Sequence, residues 1–200
     1  MQYDVITHAV GVAVPVEEVR AVLPWMRTGG YLLATGPGGT ALLPDPPRLR
    51  LGRPDGRYPV RRAHRFARDL AVALAAPVWH LLDRPGGTRV MLVTPEGAAA
   101  SLDWPVQGAR PVGSHRAAAH RADWERRCAR LATMAGHPGR GAALAGLCHG
   151  AAAPGGPAEG ARLLAQLCEL FGLPGQLVGQ SPASRGAAHG RGAVRFEGRP

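Results

Sequence analysis

The chain has 200 residues and a formal net charge of +10, from 24 arginines, no lysine and 14 acidic residues. That length fits one or two small domains. No stretch approaches the ~20 consecutive apolar residues of a membrane-crossing helix, and without lysine the phosphate-cradling loop motif is excluded.

Asparagine is also absent and Ile6 is the single isoleucine. Lysine, asparagine and isoleucine share AT-rich codons, so the composition points to a very GC-rich genome, such as that of an actinomycete. Part of the basic excess then reflects codon usage. The start, Met1-Gln2-Tyr3-Asp4, puts an acid where a signal peptide needs positive charge, which predicts a cytoplasmic protein. Cys128, Cys148 and Cys168 are odd in number and sit among apolar neighbours, as buried free thiols do.

Residues 3–14 are rich in β-branched side chains and predict a strand. Pro15 opens a helix with Glu17 and Glu18 in its first turn and Val16, Val19, Leu23 and Met26 on one face, stopped by Pro24 and Gly29-Gly30. Residues 31–45 read as a hairpin around Gly36-Pro37-Gly38-Gly39. Residues 44–60, dense in proline and arginine, read as an extended loop. A helix from about Val60 to Ala76 puts Phe66, Leu70 and Leu74 inward and Arg61, Arg65 and Arg68 on the opposite face. After Pro77, residues 78–82 read as a kinked turn continuing that helix, and residues 88–104 as a second hairpin around Pro95-Glu96-Gly97.

Beyond a linker at 105–114 the chain turns helical. Ser114 caps a helix to about Ala135, with Trp124, Cys128 and Leu131 inward. A glycine-dotted helix follows over 140–149. The clearest helix is 157–171, opened by Pro157, striped by Leu163, Leu164, Leu167, Leu170 and Phe171, and closed by Gly172 and Pro174. Residues 180–200 have little to bury beyond Val194 and Phe196 and read as a mobile tail.

These elements predict an α+β fold: a small sheet of an N-terminal strand and two hairpins with packed helices, then a helical C-terminal part. The expected organisation is an α+β domain over 1–112, a helical region over 113–178 and a flexible tail over 179–200.

Catalytic chemistry is thinly provided. His115, His120, Cys128, His137, Cys148 and His149 lack the paired spacing of a structural zinc site, so no metal or cofactor is expected. None of the four serines lies in G-x-S-x-G. An enzyme would have to assemble its site from scattered Asp4, His8 and Asp103. Arginine is the stronger signal. Residues 48–68 hold eight arginines against Asp55 alone, a local charge of +7. Codon usage would scatter arginines; here a third of them occupy about a tenth of the chain.

Arginine's planar fork matches phosphate oxygens. The residues expected to contact nucleic-acid phosphates are Arg48, Arg50, Arg53 and Arg57 on the loop and Arg61, Arg65 and Arg68 on the helix. A second cluster over 110–140 holds seven arginines against Asp123 and Glu125. The function so expected is that of a non-catalytic binding protein for DNA or RNA, with no membrane partner. The competing reading is an adaptor that binds another protein and uses its arginines as solvent cover. Two clusters sharing one face favour the first; dispersed or acid-paired clusters favour the second.

Residues 3–44, with YDVI, a helix and then GYLLATGPGGTALLP, resemble a stretch of the primase-polymerase-like proteins of actinobacteria. The resemblance covers about a fifth of the chain and implies a strand, a helix and a hairpin near an active-site sheet. Such enzymes hold divalent metal on closely spaced acids. Here the next acid after Asp4 is Glu17, with no D-x-D or D-x-E, so the resemblance implies a degenerate or accessory member without nucleotidyl transfer.

Overall fold

The computed structural model describes residues 7–23, 29–35, 38–44, 60–84, 87–105, 114–149, 157–178 and 193–197. The fold is α+β. Seven antiparallel strands form one sheet: β1 (Thr7–Val12), β2 (Gly30–Ala34), β3 (Thr40–Pro44), β4 (Val78–Arg84), β5 (Gly87–Val93), β6 (Ala99–Pro105) and β7 (Val194–Phe196), ordered β6-β5-β4-β1-β3-β2-β7. The helices are α1 (Val16–Val22), α2 (Val60–Leu74), α3 (Ser114–Met134), α4 (Gly141–His149) and α5 (Pro157–Phe171).

Both faces of the sheet are covered. Side chains alternate across a strand, so Val10, Val12, Leu42, Val78, Met91 and Val93 pack with Val19 of α1 and Phe66, Leu70 and Ala71 of α2. From the other face, Ala9, Leu81, Val90, Leu92 and Leu102 pack with Cys128 and Leu131 of α3, Leu144 of α4 and Leu164 and Leu167 of α5. The helical region thus shares its core with the sheet. Close approach needs small residues: a Cβ on Gly141 would meet Ala129 Cα at 2.8 Å, where α4 turns back on α3.

The hairpins close as their glycines demand. Gly38 and Gly97 take φ of +79° and +81°, while Thr35 N–H donates to Gly39 and Thr94 N–H to Ala98. Three helices end in the same left-handed cap. Gly136 after α3 and Gly172 after α5 have φ of +78° and +67°, and Ala75 after α2 is held at +48°. In each, the residue after the left-handed one donates back to the helix: His137 to Ala132, Leu173 to Cys168 and Ala76 to Ala71.

Two expectations are corrected. Residues 78–84 are not a continuation of α2. They form β4, which pairs with β1 and β5 through the middle of the sheet. A short apolar run buried on both faces carries no period that separates strand from helix. The flexible tail expected over 179–200 is corrected at 193–197. There β7 pairs Val194, Arg195 and Phe196 with Leu32, Tyr31 and Gly30 of β2, which satisfies the backbone groups of an otherwise open edge.

Candidate nucleic-acid interface

Helix α2 places the arginines. Phe66, Ala67, Leu70 and Ala71 are buried against the sheet, and Leu74 packs at their margin. The helical period then sends Arg65 and Arg68 to solvent, and both are exposed. Among the described residues neither forms an ion pair. Arg61 lies one turn before Arg65 on α2; its side chain, and Arg48, Arg50, Arg53 and Arg57 entirely, fall outside the described residues. The outer side of α2 also carries the exposed Asp69 and Val72.

Arg68 lies over the β5–β6 turn: a Cβ on Gly97 would stand 3.6 Å from its Nε. Glu96 occupies that turn fully exposed, and its carboxyl is held below the ordinary range by the Thr94 hydroxyl and by its own backbone N–H. Among the described residues the outer side of α2 thus carries Arg65 and Arg68 together with Asp69, and Glu96 lies at its margin.

Several arginines elsewhere are engaged. Arg89 bridges from β5 to Asp103 on β6 at 2.6 Å. On α3, Arg126 pairs with Asp123 at 3.1 Å, and Arg127 donates to the Ser101 carbonyl at 2.8 Å while its guanidinium lies 5.9 Å from the Trp124 ring centre. Arg140 donates to the Leu170 carbonyl, and Arg195 pairs with Glu197. Arg121 and Arg130 on α3 are exposed without ion pairs among the described residues. The described arginines of α2 and those of α3 lie apart, because the two helices cover opposite faces of the sheet.

Nor are the scattered candidates for an enzyme site brought together. Asp4 lies outside the described residues. His8 and Asp103 occupy one row of the sheet, through Leu82 and Arg89, but three strand spacings apart, roughly 14 Å. Asp103 is committed to Arg89. Among the described residues no group of three or more His, Cys, Asp or Glu side chains is placed to hold a metal ion.

One polar cluster escaped the sequence reading. Asp83 is buried on β4, opposite Thr7 of β1 and Thr88 of β5, and accepts a 2.8 Å hydrogen bond from the Thr88 hydroxyl. Gly160, in the first turn of α5, comes so near that a Cβ there would overlap the carboxylate. The signal was an acid ending a strand, hidden by reading 78–82 as helical. Cys168, on α5, has its thiol pushed up to about 12 by burial, so it stays protonated and is a poor nucleophile.

Comparison with family models, curated proteins and solved structures yields no significant match.

Proposed function

We propose that this chain is a non-catalytic binding protein that contacts nucleic-acid phosphates through the arginine-rich segment 48–68, of which residues 60–68 lie on α2. The observation that carries the reading is the pair Arg65 and Arg68, exposed on α2 and free of ion pairs among the described residues. The placement of α3 on the other face of the sheet counts toward the adaptor reading, so the nucleic-acid reading rests on α2 alone. Replacing Arg61, Arg65 and Arg68 by alanine keeps helix propensity. If each neutralises one phosphate of duplex DNA, the slope of log K against log salt shrinks by about 2.7, roughly 0.9 per contact. The loss is similar across sequences, since phosphate contacts position a protein without reading bases. Unchanged affinity and slope in a variant that is folded by circular dichroism removes α2 from the mechanism.

A second reading, a protein-binding adaptor, is favoured by α3. Residues 118–123 are exposed one after another around the whole helix, so this part of α3 projects beyond its packing against β6 and α4. A helix with no buried side needs a partner or full solvation.

A further inference from the structure

The two edges of the sheet are unequally closed. Along β6, α3 packs over the strand and Arg127 takes up the Ser101 carbonyl. Along β2, closure depends on β7, three residues long, whereas all five residues of β2 pair with β3 on the other side. The side chains of β7 divide by alternation. Ala193 enters the core under α3–α5, and Arg195 sets its guanidinium 5.1 Å from the Tyr31 ring centre on the same face. Phe196 packs at the α1–α2 core, while Val194 is left 46% exposed. The Arg195–Glu197 pair is itself exposed, at 37% and 80%, and such pairs contribute little. A short edge strand whose Val194 and Arg195 are exposed buries little apolar surface of its own, and elements of that kind are among the first to open.

We propose that the β2 edge is a strand-addition site, with β7 as its resident and an extended peptide segment of a partner protein as its exchange ligand. The contacts of β7 define what the site takes. In order along the segment these are a small residue, any residue, a cation to stack on Tyr31, and an aromatic to meet the α1–α2 core. In strand addition the main chain supplies affinity, and alternate side chains supply specificity. This inference is independent of the α2 reading, since β2 and α2 use different surfaces.

The test uses the full chain and a fluorescein-labelled peptide copying residues 192–198. In an Arg195→Glu, Phe196→Asp variant, β7 is unseated and the amides of Gly30 and Leu32, which face β7, exchange faster with solvent, whereas that of Tyr31, which faces β3, does not. The peptide restores their protection and binds at least about tenfold more tightly than to the wild type, where β7 competes for the same edge. A peptide with alanine in place of its arginine binds more weakly. If the double variant does not fold, Arg195→Ala is the second variant, with the same readouts. The proposal is overturned if the peptide fails to bind a folded variant whose Gly30 and Leu32 amides exchange rapidly. It is also overturned if β7 amides in the wild type exchange only through global unfolding, which would make β7 a fixed edge cover. Protection of the Gly30 and Leu32 amides that rises with protein concentration, alongside a dimer in sedimentation, assigns the edge to a second copy and overturns the partner assignment.

Discussion

Single residues set several of the tolerances of this molecule, and two small ones act in opposite directions. Gly160 lies in the first turn of α5, where alanine would improve helix propensity by up to about 1 kcal/mol. The buried Asp83 carboxylate occupies the space a Cβ needs, and it is tied to Thr88. Gly160→Ala is therefore expected to destabilise, by about 1–3 kcal/mol, the usual cost of overpacking. Ala75 is the reverse case, an alanine held at φ +48° where α3 and α5 use glycine. Ala75→Gly is expected to stabilise by about 0.5–1 kcal/mol, since a left-handed conformation costs an L-residue roughly 1–2 kcal/mol and glycine's entropy returns part of it. Urea unfolding of the two variants beside the parent measures both. Cys168 adds a pH dependence. Its folded-state value is raised from 9.0 to about 12, so its contribution is complete below pH 9 and is lost as pH rises toward 12. In Cys168→Ala the fall in stability across that alkaline window is expected to be shallower than in the parent.

At the scale of elements, the sequence was most legible where periodicity was long and its punctuation strong. Helix α5 lies where its leucine stripe placed it, between Pro157 and Gly172, and Leu163, Leu164 and Leu167 are buried as read. Leu167→Ala is expected to cost ~2–5 kcal/mol in chemical denaturation, because the side chain is fully buried and its removal leaves a cavity that a packed core fills only in part. The exposed arginine side of α2 was legible for the same reason, through Phe66 and Leu70 one turn apart. Strands β4 and β7 were not. β4 is buried on both faces, so Val78-Trp79-His80-Leu81-Leu82 shows no alternation, and misplacing it concealed Asp83. β7 is three residues long in a glycine-rich setting, and its identity depends on an edge more than 160 residues earlier in the chain. Local pattern carries no information about such a pairing.

On the scale of the whole molecule, two helical layers around one sheet keep the arginines of α2 and α3 apart. A binding site shared by both clusters, which sequence left open, is not available from those two helices. Cys128, Leu131 and Leu164 belong to one apolar cluster with Ala9, Leu81 and Val90.

The position of β1 has a kinetic meaning. The β2–β3 hairpin and the β4–β5–β6 meander are each assembled from sequence neighbours, and they meet only through β1, which pairs with β3 on one side and β4 on the other. Loop closure must be met before such non-local contacts form, so docking both units on β1 is the natural rate-limiting event. Val10, opposite Leu42 and His80 at once, sits on that suture. Val10→Ala is expected to slow refolding, with a φ-value of about 0.5–0.8, whereas Leu167→Ala, on a helix added to the finished sheet, mainly speeds unfolding. Stopped-flow chevrons of the two variants separate these limbs. Equal slowing of refolding in both would place α5 in the nucleus as well, and would mean that the sheet cannot be sutured until its helical cover is present.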